Sequence, residues 1–166
     1  MYKTITSDDI SFFQSIVNNR CFVDSKSLEK YSKDETEDIS ILPEVVIKPE
    51  TVEEISAIMK YCNKERICVT PSGARTGLSG GAIPAHHGVA LSMEKFNKIL
   101  SIDERNYQVT VEPGVITEVL QNSVKEKGLF YPPDPASKGS CFIGGNVSEN
   151  SGGPKAVKYG VTNEYV

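Results

Sequence analysis

A chain of 166 residues is long enough for one domain with a substantial core but too short for a second full domain, because domains most often contain roughly 100–150 residues. Its 39% hydrophobic and 24% charged residues are typical of a folded globular protein and exclude wholesale disorder. The formal net charge of -4 makes nucleic acid and anionic lipid poor partners, because it provides no positive field for phosphate groups.

Apolar runs in the sequence are only strand-sized, whereas a bilayer-spanning helix needs roughly 20 apolar residues. The N-terminal segment also lacks a basic region followed by an apolar one. We therefore expect a cytoplasmic protein without a membrane span. The four cysteines form no CxxC pair and no cluster with histidine, so we interpret them as buried apolar residues and predict no metal site. Because His86 and His87 are adjacent, we interpret them as exposed loop residues.

The N-terminal residues 1–42 are predicted to form a helical arm and a connector. A helix is expected from Ser7, as its N-cap, to about Asn19, with apolar residues at helical spacing. Residues 24–42 are dense in charge and predict a surface connector with at most short helices.

A strand, a helix and a second strand are predicted from position 45 to position 70. The strands are Val45–Ile47 and residues 67–70, and a capping box of Thr51 and Glu54 begins the helix. The buried stripe of this helix is predicted to consist of Val52, Ile55, Met59 and Cys62, with Ile58 beside it. Such a βαβ unit requires parallel strands.

Further strands are expected over residues 88–93 and 107–111. A helix capped by Thr117 should then run to Gly128, with Val119, Leu120 and Val124 facing inward. Residues 131–160 are crowded with Pro, Gly, Ser and Asn and predict an irregular segment.

The segment that follows the second predicted strand, PSGARTGLSGG at 71–81, contains almost only small residues. Glycine-rich loops at the carboxyl end of a parallel strand bind anions, because backbone N–H groups can approach the ligand without an intervening Cβ. Hydroxyl groups and Arg75 favour a diphosphate. The alternative is a flexible surface connection.

Two common nucleotide fingerprints are excluded by the register of this loop. A P-loop requires glycine followed by lysine and a hydroxyl residue, and no glycine here has that continuation. A Rossmann loop requires GxGxxG before a helix, but Gly73 and Gly77 are four residues apart and the loop leads towards another strand.

A second glycine-rich segment follows at 132–153. Ordering so many flexible residues costs conformational entropy, which favours a large ligand lying against the backbone. With KYGVT at 158–162, the two segments PSGARTGLSGGAIP at 71–84 and PPDPASKGSCFIGGNVSENSGGP at 132–154 form three ordered motifs. In these motifs the sequence resembles the FAD-linked oxidases of the vanillyl-alcohol oxidase type, whose flavin domain is called PCMH-type. The similarity is greatest to the branch of glycolate oxidase flavin subunits, D-lactate dehydrogenases and D-2-hydroxyglutarate dehydrogenases.

The resemblance implies a set of cofactor-binding residues. In the family the first motif wraps the FAD pyrophosphate with backbone amides, which implicates Pro71, Gly73, Ala74, Arg75, Thr76, Gly77, Leu78 and Ser79. The second motif lies along the flavin and its ribityl chain in the family, which implicates Pro133, Asp134, Ser137, Gly139, Ser140, Gly144, Gly145, Asn146, Val147, Asn150 and Gly152. The alternative is that about half of these glycines only permit tight turns.

The resemblance also implies an α+β fold, with a small βαβ-containing parallel lobe at 43–96 followed by an incomplete second β lobe at 97–166. Members of the family continue well beyond the length of this chain, so we interpret it as the N-terminal part of such a protein and expect its last residues to begin a strand. Some relatives attach flavin covalently through a histidine, and Arg75 occupies the equivalent place. We therefore expect non-covalent FAD.

Two functions remain open from the sequence. In the first, the longer parent protein oxidises a small 2-hydroxy acid, such as glycolate or D-lactate, with FAD; its catalytic residues are expected beyond Val166, so none is nominated here. In the second, the chain is a truncated, inactive module that binds FAD or another anion. Exposed surface of the incomplete lobe also predicts a homodimer.

Overall fold

The computed structural model describes residues 2–166, and the chain forms two compact units, Met1–Lys95 and Phe96–Val166. Each unit has its own sheet and its own apolar core. The predicted α+β class is confirmed. That residues 43–96 and 97–166 are the two lobes of a flavin domain, with residues 1–42 as an arm, stays a prediction.

The first unit contains a four-stranded sheet of order β1-β2-β4-β3. The strands are β1 Cys21–Phe22, β2 Val45–Ile47, β3 Val69–Ser72 and β4 Val89–Ser92. β1 pairs with β2 in antiparallel orientation, and β4 is parallel to both β2 and β3. The predicted parallel βαβ unit is therefore confirmed, but β4 lies between its two strands.

Both faces of this sheet are covered, because the side chains of a strand alternate between faces. Val45 and Ile47 pack in a core with helices α1 Ser7–Val17 and α3 Val52–Glu65. Val46 points the other way and packs with Tyr31, which follows the short helix α2 Ser25–Lys30. The surface connector predicted at 24–42 is therefore wrong in one respect, since Tyr31 is only 1% exposed.

Both predicted helices of this unit exist, but some details of the predictions were wrong. The N-cap of α1 is Thr6 rather than Ser7, because Thr6 and Asp9 form the reciprocal hydrogen bonds of a capping box. In α3 the Glu54 carboxylate accepts hydrogen bonds from Arg20 and from the amide of Glu50. Of the predicted capping box, only the hydrogen bond from the Glu54 amide to the Thr51 hydroxyl forms. The buried stripe centres on Ile58 and Cys62, whereas Val52 is 68% exposed.

The second unit is built on a hairpin of β5 Ile99–Asp103 and β6 Gln108–Val111. Helix α4 Thr117–Lys125 packs against it through Leu120 and Val124, as predicted. Val119 was predicted to face inward but is half exposed. Thr117 does not cap the helix, since its side chain is buried beside Cys141 and the N-cap is Ile116.

Three further elements lie where no helix was predicted. The glycine-rich stretch contains α5 Ile143–Glu149 and α6 Ala156–Tyr159, and residues 162–165 form a 3-10 turn instead of the expected strand. The β5 strand was also missed, because its apolar residues Ile99 and Ile102 do not alternate with polar ones. No helix in the described part of the chain is long and apolar enough to cross a membrane.

Asp9 anchors α1 through a fully buried carboxylate. Its Oδ1 accepts hydrogen bonds from Lys3 Nζ and Tyr61 Oη, both at 2.7 Å, and its Oδ2 accepts from the amide and hydroxyl of Thr6. Burial alone would raise the pKa of this carboxyl, but the donors outweigh it and lower the pKa well below the usual range. The residue therefore contributes stability that is present above the unfolded-state pKa of about 3.9 and is lost as the pH falls through the native value.

Replacing Asp9 by asparagine should lower the free energy of unfolding by about 2 kcal/mol at neutral pH, because a buried amide group can replace only one of the two oxygens that accept hydrogen bonds. The variant should also lose the part of the acid sensitivity that Asp9 causes. Urea unfolding between neutral and acidic pH measures both effects. Asp8→Asn is the matched control, since Asp8 is exposed and its replacement should change stability by less than about 0.5 kcal/mol. Equal effects of the two changes would contradict the assignment.

Candidate functional site

The first candidate segment leaves the sheet at the carboxyl end of β3. Pro71 lies within that strand, and Ser72 pairs with Ser92 as the last residues of the parallel ladder. Residues 73–79 then form a loop without regular structure, most of it half-buried, with Leu78 exposed. The structure thus brings the predicted residues Pro71 to Ser79 together on one strand end and one loop.

Two hydrogen bonds to the segment after α2 hold the C-terminal part of this loop. The Gly77 carbonyl accepts from the amide of Glu35 at 3.0 Å, and the Gly80 amide donates to Thr36 Oγ1 at 2.8 Å. Within the described residues, the amides of residues 73–78 donate no hydrogen bond. The loop therefore presents a run of unsatisfied N–H donors, which is the arrangement that binds anions.

Gly77 has no packing reason to be glycine. A Cβ built on it meets no atom within 4 Å, and its backbone is not in the left-handed region. By contrast, Gly88 has a φ of +67° and lies against the Cys68 carbonyl, so its glycine is required by the fold. The open face of Gly77 fits a ligand that approaches the backbone.

Arg75 is the non-glycine residue of the loop with a left-handed backbone, at φ +61°. Its guanidinium lies 4.2 Å from the centroid of the Tyr31 ring, and its Nη1 is 3.2 Å from the Gly73 carbonyl oxygen and 3.3 Å from Ser72 Oγ. Sequence reasoning missed Tyr31. The available signal was a single aromatic residue inside the charged stretch 24–42.

The second candidate segment is tied together around Asp134. Its carboxylate is paired with Lys138 at 2.8 Å and with Lys155 at 3.1 Å, and these two cations lower the pKa of Asp134. The Asp134 amide donates to the Gly152 carbonyl, and a Cβ on Gly153 would collide with the Asp134 carbonyl oxygen. Asp134 therefore links the two ends of the segment through these ion pairs and this hydrogen bond, which is a structural role.

The other predicted residues of this segment lie in three environments. Asn146 is buried in α5 and donates through Nδ2 to the Thr117 hydroxyl. The Pro133 and Ser137 carbonyls accept hydrogen bonds from within the unit. Gly144 and Gly152 are packed against Pro113 and Val161, whereas Gly145 meets no atom within 4 Å of an added Cβ. The exposed members of the segment are Gly139, Ser140, Gly145, Val147 and Asn150.

An open cavity of about 790 Å³ also lies within the second unit. Its wall is mostly apolar and includes β6 together with Leu120, Phe130 and Tyr131. Gly144 and Val147, two of the predicted cofactor-binding residues, are part of its lining. The cavity has the size of a small-molecule site, which typically measures about 300–1,000 Å³.

Cysteine and histidine contribute no evident chemistry. The four cysteines are free thiols; the predicted burial is confirmed for Cys21, Cys62 and Cys141 but is wrong for Cys68, which is half-buried. Burial raises the pKa of the Cys62 thiol to about 12, so this sulfur stays protonated and unreactive. His86 and His87 are exposed. Within residues 2–166, no group of three or more His, Cys, Asp or Glu residues is placed to hold a metal ion.

Known sequences similar to this chain carry the names of dehydrogenases and of an oxidase subunit. The profile of the FAD binding domain family matches residues 43–166. The chain is 42% identical to a D-lactate dehydrogenase of Anaerostipes hadrus over 99% of its own length and 35% of that protein. It is 47% identical to the glycolate oxidase subunit GlcD of Bacillus subtilis, over 82% of the chain and 29% of that protein. The chain thus spans about a third of the length of these relatives.

Solved structures support the fold. An alkyldihydroxyacetonephosphate synthase superposes with a TM-score of 0.85 at 16% identity, covering 98% of this chain and 32% of that one. p-Cresol methylhydroxylase superposes with a TM-score of 0.76 at 24% identity, covering 91% and 31%. The resemblance drawn from the three motifs is thereby confirmed. The chain belongs to the FAD binding domain family, its cofactor is FAD, and its fold is that of the PCMH-type flavin domain.

Proposed function

We propose that residues 73–79 bind the diphosphate of FAD through their backbone. The observation that carries this proposal is the run of amides at 73–78 that donate to no described residue, beside a glycine with an open face. Two phosphate groups need several hydrogen-bond donors, and Arg75 adds a positive charge within the same loop. The loop and the family of the chain thus support the same ligand chemistry.

The second segment is proposed to contact the rest of the cofactor through its exposed residues, among which Gly145 and Val147 lie on one short helix. Asp134, Asn146, Gly144 and Gly152 support that surface from inside, since their contacts are within the unit. FAD is proposed to bind without a covalent bond, because the loop carries Arg75 where some relatives carry histidine.

The open face of Gly77 provides a direct test of the diphosphate assignment. Gly77→Ala should fold as the original chain does, because the added methyl group meets no atom of the protein. It should weaken FAD binding by about tenfold or more, since the methyl group would stand where the ligand approaches the backbone. Quenching of flavin fluorescence measures the affinity, and thermal unfolding without flavin is the control. An unchanged affinity would contradict the placement of the diphosphate.

For the whole protein we propose oxidation of a small 2-hydroxy acid. This proposal rests on the names of the relatives, which include D-lactate dehydrogenase, glycolate oxidase subunit and D-2-hydroxyglutarate dehydrogenase. Bound flavin supplies the two-electron redox chemistry, while the protein supplies binding and orientation. No residue of this chain is assigned to the chemical step. The alternative is an inactive module that binds FAD or another anion.

Anaerobic titration separates these two functions. In the whole protein, glycolate, D-lactate or D-2-hydroxyglutarate should bleach the visible absorbance of the bound oxidised flavin, because reduction removes that absorbance. A matched acid without the hydroxyl group, such as propionate, should leave the spectrum unchanged. Flavin that stays oxidised with all three hydroxy acids would favour the binding module.

A cytoplasmic location is proposed, and the four free thiols support it, since disulfides are rare in that compartment. A homodimer is proposed through the exposed apolar surface of the second unit, where Tyr107 is 81% and Phe130 is 59% exposed. Light scattering tests this prediction, and a monodisperse monomer would contradict it.

A further inference from the structure

The carboxyl ends of the three parallel strands carry a connected group of charged and aromatic side chains. Lys48 follows β2 directly, the glycine loop follows β3, and Glu94 lies two residues after β4. The carboxyl ends of parallel strands meet at one edge of a sheet. Tyr31 joins these three exits, because it touches a side chain from each of them.

Tyr31 is held rigidly on the sheet. Its ring packs on Val46 and Ala90 of the two central strands and is only 1% exposed. Its hydroxyl donates to Glu94 Oε2 at 2.9 Å and lies 3.1 Å from Ser92 Oγ. Glu94 is in turn paired with Lys48 at 2.7 Å. The position of the ring is therefore fixed at both its apolar and its polar ends.

The ring supports the one charged residue of the glycine loop. The Arg75 guanidinium lies 4.2 Å from the ring centroid, which is within the range of a cation–π contact. From this position Arg75 Nη1 donates to the Gly73 carbonyl. A carbonyl that turned towards the ligand would repel a phosphate, so engaging this carbonyl keeps the loop suited to an anion. The φ of +61° at Arg75 is unfavourable for a non-glycine residue, so this backbone conformation also needs stabilising contacts from outside the loop.

We propose that Tyr31 is a positioning residue for FAD: it acts through Arg75 and keeps the glycine loop in its anion-binding conformation. The proposal rests on the proposed function of that loop. In this arrangement Arg75 organises the loop by its planar, stacked guanidinium. The competing role is that of a point charge in direct contact with the diphosphate, for which lysine would serve as well.

Flavin affinity of four variants separates the two roles. Tyr31→Phe keeps the ring and should bind FAD within about twofold of the original chain, whereas Tyr31→Met removes the ring at similar volume and should weaken binding by about tenfold. Arg75→Lys keeps the charge but loses the flat stack, and should weaken binding as much as Arg75→Gly, which tolerates the left-handed backbone. The double variant Y31M/R75G should bind no more weakly than R75G, because Tyr31 acts only through Arg75.

Trypsin provides a readout that needs no ligand. Cleavage after Arg75 should be slow in the original chain and in Y31F, and at least about tenfold faster in Y31M, because the side chain is released from the ring. Cleavage after Arg105, an exposed residue of the β5–β6 turn, is the internal reference.

The outcomes distinguish the inference from the proposed function. If the original chain does not bind FAD but the rate of cleavage after Arg75 still depends on Tyr31, the proposed function fails, while the part of the inference that needs no ligand stands: Tyr31 holds the glycine loop through Arg75. Three results would each overturn the positioning role: additive losses of FAD affinity in the double variant, an R75K variant that binds FAD as tightly as the original chain, or an unchanged rate of cleavage after Arg75 in Y31M. If Y31M does not fold, the comparison of R75K with R75G decides, since only the positioning role makes them equal.

Discussion

Parallel pairing of β3 with β4 is the constraint on which the rest of the first unit depends. It ends at Ser72 and Ser92, and the Met93 amide closes it on the Ser72 carbonyl at 2.9 Å. Because β2 runs in the same direction, the segments that follow the three parallel strands all leave the sheet at the same edge. The glycine loop and the pair of Lys48 and Glu94 therefore lie at this edge as a consequence of strand direction.

A parallel sheet requires apolar cover on both faces, and in this unit the second cover comes from the segment after α2. Val46 and Ala90 face that segment and pack against Tyr31. The same segment holds the glycine loop through Glu35 and Thr36. Covering the sheet and fixing the loop are thus achieved by one stretch of chain, which explains why a stretch so rich in charge is well ordered. Lys33, Glu35, Glu37 and Asp38 are exposed, while Tyr31, Ser32 and Asp34 are buried.

The sequence was sufficient for the elements whose signal is local. β2 and the start of α3 have local signals, an apolar run and a capping residue, and the glycine loop was correctly placed after its strand. Features that depend on distant partners were missed. Insertion of β4 between β2 and β3, burial of Tyr31 and the diversion of Glu54 to Arg20 are all long-range contacts. Helix α5 was missed because Gly144 and Gly145 have low helix propensity, and its position is set by packing on Pro113.

The glycines of the two segments differ in whether the fold itself requires them. In the loop, a Cβ added at Gly77 would meet no other atom of the chain, so a ligand could approach this position without competing with internal packing. In the second segment Gly144, Gly152 and Gly153 are each pressed against another part of the unit, so most changes there would disturb folding before they disturb a ligand. Gly145 is the exception. A glycine motif is therefore a composite signal: part of it records close packing, and the glycines with an open face, Gly77 and Gly145, are those whose backbone a ligand could reach.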